Sequence, residues 1–286
     1  RKISQLQSAI TDLDIPNFYE LSNSSIKPTV LQNDSMRRSF GVFGSLETSF
    51  KNRIFLTLTG RNDWTSTLPQ NANSYFYPSV SLAGIVLDTN DYFLKLRGGY
   101  ASLANDTAPY QTNSALTQGS AFLGFGNIIL PVGGVNGYEF AANLGNGQLK
   151  PERVKELELG AEANLFNKRV NLDVSVYDKK STDLLFQRPV ATSTGFQTQT
   201  GNLIDLQNRG IELVANIIPV KTTNFTWDFS YTFTKNESEV TNIDGGLDKV
   251  QLAANYGVSW NAVKGQPLGE FQSFVPKTNA AGQFIV

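Results

Sequence analysis

Apolar and polar residues alternate with a period of two along most of the chain. In eight segments every second residue is apolar, and the residues between them are polar or small. Successive side chains of a β-strand point to opposite faces of a sheet, so this period predicts strands with one apolar and one polar face. A helical period is nearly absent. The predicted strands cover residues 40–50, 54–61, 75–84, 94–100, 156–165, 170–177, 211–217 and 225–234.

The predicted strands are long, and the connections between them alternate between short and long. Most strands have about ten residues, the length with which a tilted strand crosses a bilayer. The short connections lie near 51–53, 87–91, 166–169 and 220–224. The long segments lie near 1–38, 65–74, 105–152, 187–200 and 237–268. Short turns on one rim and long extracellular loops on the other are typical of outer-membrane barrels. The sequence therefore predicts an all-β fold, a transmembrane antiparallel β-barrel, with residues 1–286 in one barrel domain.

A soluble β-sandwich is the competing interpretation, because its strands alternate as well. The apolar face of a sandwich packs on a second sheet and favours large aliphatic residues. Here that face also carries Gly44, Ala161, Ala163 and Ala215, which lipid tolerates and a packed core does not favour. We therefore expect the apolar face to meet lipid. The positions expected to face lipid include Leu157, Leu159, Leu172, Val174, Phe229 and Tyr231.

Composition agrees with a membrane protein and excludes several kinds of chemistry. Charged residues make up 17% of the chain, whereas soluble domains usually have about 25%. The net charge is −1 and no basic stripe is present, so a nucleic-acid partner is not expected. The chain has no cysteine and no histidine, which excludes Ser-His-Asp and Cys-His catalysis and the common zinc sites. We predict neither an enzyme nor a metal or cofactor site.

Charged residues on the polar face are predicted to line a water-filled lumen. This set consists of Arg61, Lys95, Arg97, Glu156, Glu158, Glu162 and Glu212. The strands before and after the 105–152 segment should be neighbours, so we expect Arg97 to pair with Glu158 and Lys95 with Glu162. The glutamates could instead form a glycosidase pair, since residues i and i+2 of a strand lie about 6.5–7 Å apart. Ion pairing in a lumen is the preferred interpretation.

Aromatic residues of the long 105–152 segment are predicted to contact a ligand or a partner protein. They are Tyr110, Phe122, Phe125, Tyr138 and Phe140, set among glycines and asparagines. Long ordered loops are usually functional, and a cluster of aromatic side chains is costly to expose. Packing of the loop on itself is the alternative. Deletion of residues 121–143 is expected to touch no strand and to leave the barrel assembled.

Two further patterns have a structural and a functional interpretation. The alternating aromatic residues at 225–233 could form a platform for sugars, but contact with lipid and its interfaces is preferred. Residues 242–248 place carboxylate and amide oxygens next to glycines and could hold Ca²⁺. They lack the ordered ligand spacing of an EF-hand loop, so a polar turn is preferred.

Eight short motifs follow one another along nearly the whole chain. They are DIPNFYELSN at 14–23, GRNDW at 60–64, YFYPSVSL at 75–82, LKLRGGY at 94–100, LKPE at 149–152, ELELG at 156–160, NRGIEL at 208–213 and GQPLGEF at 265–271. Each motif alone is weak, but their order and spacing together are specific. The sequence resembles the SusC/RagA family of TonB-linked outer-membrane transporters, in the middle portion of the β-barrel. One departure is Trp64, where that family more often has a small residue.

The resemblance implies a specific architecture and function. It implies a closed barrel of about 22 strands around a plug domain, of which this chain supplies about eight strands and no plug. It also implies import of oligosaccharides or peptides, energised by TonB through a missing N-terminal region and capped by a SusD-like surface lipoprotein. The alternatives are a passive porin or adhesin-type barrel, an outer-membrane hydrolase, and a soluble carbohydrate-binding β-sandwich.

Overall fold

The protein is almost entirely β-structure. The computed structural model describes residues 1–10, 12–26, 28–123, 126–130 and 132–285. The strands are β1 Lys2–Ala9, β2 Thr29–Met36, β3 Ser39–Phe50, β4 Ile54–Thr65, β5 Ser74–Asp88, β6 Phe93–Asn105, β7 Leu116–Gln118, β8 Ser120–Leu123, β9 Gly126–Ile129, β10 Tyr138–Phe140, β11 Asn143–Leu144, β12 Glu152–Leu165, β13 Val170–Pro189, β14 Thr198–Lys221, β15 Thr226–Ile243, β16 Lys249–Asn255, β17 Val258–Val263 and β18 Glu270–Ser273. Two 3₁₀ turns lie at Thr192–Thr194 and Asp244–Gly246. Among these described residues, no helix is long and apolar enough to cross a membrane.

Eight long strands form one antiparallel sheet. Their order is β3-β4-β5-β6-β12-β13-β14-β15, so each long strand pairs with the long strand before it and the one after it. The short strand β11 adds a parallel pair at the start of β14. A meander of long antiparallel strands is the wall of an up-and-down barrel. Each of the eight strands matches one of the eight segments predicted from the alternation, and β15 begins at Thr226, one residue after the start of the predicted 225–234.

The register gives the sheet two faces of opposite character. Residues that face each other on neighbouring strands form rows across the sheet. Three rows of the apolar face across β12–β15 are Leu165-Val170-Ile217-Phe229, Ala163-Leu172-Ala215-Tyr231 and Ala161-Val174-Leu213-Phe233. Three rows of the polar face are Glu162-Asp173-Val214-Thr232, Gly160-Ser175-Glu212-Thr234 and Glu158-Tyr177-Gly210-Asn236.

No second sheet covers the apolar face within the described part of the chain. Leu157 and Leu159 are 51% and 55% exposed, and Phe229 is 46% exposed. A soluble sandwich would bury these side chains against an opposing sheet. The sandwich interpretation is therefore wrong, because the apolar face has no protein layer to pack on.

The apolar face changes to charged residues at a definite level. The row Leu159-Val176-Ile211-Lys235 is followed by Leu157-Asp178-Arg209-Glu237 and then by Lys155-Lys180-Gln207-Glu239. Strands β13, β14 and β15 have 20, 24 and 18 residues, and they continue well beyond this level. The end of the sheet that carries the long connections therefore projects past the apolar rows.

The predicted long loop at 187–200 is wrong, because β13 runs to Pro189 and β14 begins at Thr198. Both strands continue as a hairpin past the apolar rows. The predicted long loop at 237–268 is also wrong, because it contains the end of β15 and the hairpin β16–β17. The projecting parts mix polar residues with adjacent apolar ones, such as Leu203 and Ile204 of β14, so their sequence has no period-two signal for a strand.

The buried core lies at the projecting end of the sheet. One cluster joins the ends of β14 and β15 to the β16–β17 hairpin through Leu203, Ile204, Val240, Val250 and Ala262. A second cluster consists of Leu68, Tyr75 and Leu149. The connections on this side therefore pack on the strands and do not extend freely into water.

Two other segments predicted as loops contain strands. In 1–38, β1 pairs with β2 over eight residue pairs, and these two strands are called the N-terminal arm. In 105–152, β7 pairs with β10, β8 pairs with β9, and β11 joins the main sheet. These strands are short or polar on both faces, so alternation does not reveal them. The 65–74 connection remains a loop, between the end of β4 and the start of β5.

Candidate functional site

A network of charged side chains occupies the polar face around Arg97. The Arg97 guanidinium donates from Nη1 to Asp173 Oδ2 at 3.0 Å and from Nη2 to Asp173 Oδ1 at 2.6 Å. Its Nη2 also donates to Ser175 Oγ at 2.7 Å. Ser175 Oγ donates in turn to Glu158 Oε1 at 3.2 Å. Two parallel bonds from a guanidinium to a carboxylate are strong and directional, so they fix the position of Arg97.

The two ion pairs expected from the sequence are both present. Arg97 Nε lies 3.8 Å from Glu158, and Lys95 Nζ lies 3.8 Å from Glu162. The shorter contact of Arg97, however, is with Asp173 on β13, two strands away from its own strand β6. Sequence reasoning missed this partner.

A glycine allows Arg97 to cross the intervening strand. Arg97 faces Gly160 of β12 in the register, and Gly160 faces Ser175 of β13. A Cβ atom at Gly160 would lie 2.6 Å from Arg97 Nε and 2.7 Å from its Cζ. Only a residue without a side chain leaves room for the guanidinium to lie across β12.

Tyr177 makes a second crossing of the same kind. It faces Gly210 of β14, and its hydroxyl donates to Asn236 Oδ1 on β15 at 3.2 Å. A Cβ atom at Gly210 would collide with the phenol end of the ring. The Tyr177 ring therefore lies across β14, in the same way that Arg97 lies across β12. Gly160, inside the predicted strand 156–165, was the available sequence signal for the Arg97 crossing, whereas Gly210 lies just before the predicted strand 211–217.

The remaining predicted residues of the polar face are more separate. Arg61 Nε donates to Asp63 on its own strand, at 2.9 and 3.1 Å, and does not join the Arg97 network. Glu156 faces Lys179 across β12 and β13. Within the described residues, neither Glu156 nor Glu212 has an ion pair within 4.0 Å. The predicted set thus contains the two separate pairs Arg97–Glu158 and Lys95–Glu162, an Arg61 that pairs with Asp63, and two glutamates without an ion pair among the described residues.

A recess on the polar face lies beside this network. Its volume is about 480 Å³. Its lining residues are Glu156, Glu158, Ser175, Tyr177, Lys179, Asn208, Glu212 and Asn236. Carboxylates, amides and one aromatic ring therefore meet at a single place on the sheet. Among the described residues, no cluster of carboxylates has the arrangement of a metal site.

Among the described side chains, the predicted aromatic residues Tyr110, Tyr138 and Phe140 of 105–152 do not converge on one site. The Tyr110 hydroxyl accepts the backbone N–H of Met36 at 3.0 Å, so Tyr110 holds the N-terminal arm. The Tyr138 hydroxyl accepts a bond from Asn136 at 2.9 Å. The Phe140 ring lies 5.5 Å from the Phe196 ring, between centroids. Phe125 lies outside the described residues, and Phe122 belongs to β8 with its side chain outside them.

The deletion of 121–143 would remove strands, contrary to expectation. It contains β10, and it ends at Asn143, where β11 pairs with β14. Asn143 Nδ2 also donates to Gln111 Oε1 at 3.0 Å, and Asn143 Oδ1 accepts from Thr198 at 3.3 Å. The loop closes on the main sheet at this residue, and no pattern in the sequence indicates this contact.

A polar node joins the N-terminal arm to the projecting end of the sheet. Arg37 and Asp106 form an ion pair at 2.6 Å, and the Asp106 side chain is only 5% exposed. Asp106 also accepts hydrogen bonds from the Thr65 and Thr67 hydroxyls. On the arm itself, a hydrogen bond from the Ser4 hydroxyl lowers the pKa of Asp34 below its ordinary value. The arm is therefore attached at Arg37 and at Tyr110.

The 242–248 segment forms a turn between β15 and β16. Gly245 and Gly246 have φ of 74° and 67°, which explains the need for glycine there. Asn242 Nδ2 donates to Asp205 Oδ2 at 3.2 Å and so takes part in strand pairing. The segment has the geometry of a polar turn.

The meander, its uncovered apolar face and its charged opposite face define the wall of a large outer-membrane β-barrel. The model of the family described as "TonB dependent receptor-like, beta-barrel" matches residues 5–284. The chain belongs to this family, and it resides in the bacterial outer membrane. This confirms the family and fold expected from the motifs.

Relatives and solved structures agree with this assignment. TonB-dependent receptor P26 of Formosa agariphila is 31% identical over 251 residues, which are 85% of this chain and 24% of that protein. TonB-dependent receptor SusC of Bacteroides thetaiotaomicron is 28% identical over 218 residues, 72% of this chain and 21% of that protein. The chain thus spans about a quarter or less of these relatives' length.

The RagAB peptide transporter structure has the same fold over the matched region. The TM-score is 0.73 at 20% identity, and the match covers 89% of this chain and 28% of that chain. RagAB in its closed-closed state matches 99% of this chain, with a TM-score of 0.73 and 18% identity. At this level of identity the similarity shows a shared fold.

Proposed function

We propose that this chain is part of the barrel of an active importer of oligosaccharides or peptides. In this proposal the apolar face meets lipid and the polar face lines the lumen. TonB energises import through a region outside this chain, and a SusD-like lipoprotein caps the extracellular side. The observation that carries the proposal is the two-faced sheet within a TonB-dependent receptor barrel.

The chemistry of the two faces supports the proposed orientation. The apolar face holds exposed aliphatic and aromatic side chains, among them Leu159, Ile211 and Phe229, as lipid contact requires. The polar face holds Arg97, Asp173 and Glu158, which would be costly to place against hydrocarbon. A water-filled lumen hydrates such groups and leaves them free to contact a polar solute.

The relatives support the proposed cargo and partners. One relative is named SusC, and one solved structure of the same fold is titled a peptide transporter. The relatives that match are receptors, which agrees with a role in transport and not in catalysis. The neutral and charged groups of the polar face suit a polar cargo such as an oligosaccharide or a peptide.

The proposal is tested with the full-length gene in its own host. Uptake of labelled oligosaccharides and labelled peptides is measured in the wild type, in a deletion strain and in a strain without TonB. We expect uptake of one cargo class to be lost in both mutant strains. Uptake that needs this gene but continues without TonB would identify a passive porin. Co-purification of a surface lipoprotein with the tagged receptor tests the proposed lid.

A further inference from the structure

The recess around Tyr177 lies at the level where the apolar face ends. Tyr177 stands between Val176, in the last apolar row, and Asp178, in the first charged row. With the apolar rows in lipid, this level is that of the membrane surface on the side of the long connections. The recess would then open near the outer mouth of the lumen, where an incoming solute first meets the wall.

Tyr177 provides the recess with a fixed aromatic surface. Its ring crosses β14 at Gly210, and its hydroxyl is held by Asn236 at 3.2 Å. The outer end of the ring lies over Gly210, and Tyr177 lines the recess, so its ring is available to a ligand there. An aromatic face is an apolar platform with defined edges, and it packs well against another flat apolar surface.

Three side chains around the Tyr177 ring, Glu156, Asn208 and Glu212, are available to form hydrogen bonds with a ligand. Glu212 has no ion-pair partner among the described residues, and the Asn208 side-chain amide makes no hydrogen bond there. Glu156 also lacks an ion pair within 4.0 Å in the described chain. Carboxylates accept hydrogen bonds only, whereas an amide both donates and accepts. A ligand rich in hydroxyl groups can satisfy both kinds of group.

The charge of the recess disfavours an anionic ligand. Three of its lining residues, Glu156, Glu158 and Glu212, are carboxylates, and Lys179 is the one lining cation. Arg97 lies 3.8 Å from Glu158 but donates two hydrogen bonds to Asp173, so it does not neutralise Glu158 fully. An anion would be repelled by these acids, whereas a neutral ligand rich in hydroxyl groups can donate hydrogen bonds to them.

We infer that this recess binds one end of a neutral oligosaccharide, with a sugar ring stacked on Tyr177 and its hydroxyl groups on Glu212 and Asn208. The volume of about 480 Å³ lies in the range of small-ligand sites, about 300–1,000 Å³. The inference rests on the proposed function and selects oligosaccharide over peptide as the cargo class. A basic or neutral peptide is the competing occupant.

The test uses the full-length receptor purified in detergent and four neutral probes: maltohexaose, cellohexaose, xylohexaose and mannohexaose. Binding is measured by calorimetry for the wild type and for Tyr177→Ala, Tyr177→Phe and Tyr100→Ala. We expect at least one hexaose to bind and Tyr177→Ala to weaken it about tenfold, because the stacking surface is lost. Tyr177→Phe keeps the ring and should lose less. Tyr100→Ala alters the apolar face of the same sheet and should change nothing.

Three results would overturn the inference. They are no binding of any hexaose, equal binding by wild type and Tyr177→Ala, and Tyr177-dependent binding of trilysine or tetraalanine in place of a hexaose. Uptake in strains with and without TonB separates this inference from the proposed function. TonB-dependent uptake that is insensitive to Tyr177→Ala removes the sugar site and leaves the importer. Uptake that continues without TonB removes the importer itself.

Discussion

Gly160 offers the sharpest test of the Arg97 network. In Gly160→Ala the new Cβ would lie 2.6 Å from Arg97 Nε, well inside contact distance, so the guanidinium has to leave its place. Arg97 would lose two hydrogen bonds to Asp173 and one to Ser175. The backbone of β12 itself is not expected to change, because alanine adopts extended conformations readily.

The stability lost in Gly160→Ala can be estimated from the hydrogen bonds that Arg97 loses. A hydrogen bond to a charged group contributes about 1.5–3 kcal/mol when sheltered from water. The Arg97 and Asp173 side chains are 29% and 38% exposed, so solvent screens part of that energy. We expect Gly160→Ala to lower the free energy of unfolding by about 1–2 kcal/mol after this discount.

The assay is a urea titration of the full-length receptor in lipid vesicles, followed by tryptophan fluorescence. Gly84→Ala is the matched control, because a Cβ at Gly84 meets nothing within 4 Å. Gly84→Ala should leave the free energy of unfolding unchanged or raise it by up to about 1 kcal/mol, because alanine lowers the conformational entropy of the unfolded chain. In an Arg97→Ala background the cost of Gly160→Ala should disappear. Equal midpoints for Gly160→Ala and Gly84→Ala would refute the crossing, and a cost that persists without Arg97 would assign it to another cause.

Three further predictions follow from other parts of the chain. Cysteines at Leu172 and Phe229 should resist a water-soluble maleimide in intact membranes, whereas a cysteine at Glu212 should react. Ready labelling of the first two would reverse the assigned faces. Deletion of 120–129 should leave the barrel assembled, because β8 and β9 pair with each other and Leu130 N lies 3.2 Å from Gly119 O. It should impair import or retention of the lipoprotein, and normal import together with normal retention would show that this hairpin is passive. Tyr110→Phe removes the hydroxyl that accepts the Met36 N–H, so it should speed proteolysis of the N-terminal arm, with Tyr19→Phe as the control. An unchanged rate of cleavage would show that Arg37 alone attaches the arm.

The eight strands could be predicted because each has one apolar face. Leu157, Leu159 and Ala161 alternate with Glu156, Glu158 and Gly160, and this contrast is visible in one dimension. The contrast disappears in the projecting parts of β13 and β14, where apolar residues such as Leu184, Leu185 and Phe186 are consecutive and do not alternate with polar ones. There the strands are held by backbone pairing and by clusters such as Leu203 with Val240, which depend on residues distant in the chain.

Within the site, only contacts between adjacent strands could be predicted from the sequence. Arg97 with Glu158 and Lys95 with Glu162 follow from the order of the strands around the 105–152 segment. Asp173 could not be assigned to Arg97 in advance, because that contact spans a third strand and needs the register and the vacancy at Gly160 together. The Tyr177 crossing was missed for the same reason, since its ring can lie across β14 only because Gly210 faces it.

The projecting strands have a mechanical consequence. At about 3.3 Å per residue, the 24 residues of β14 extend about 80 Å, far more than the ~30 Å of a bilayer's hydrocarbon. The wall on this side is thus a continuous hydrogen-bonded sheet, in which no strand can bend without its neighbours. Such a wall resists opening and closing, since every neighbouring pair would have to break or slide. In the importer that we propose, a gate would therefore be a separate segment that moves against this sheet.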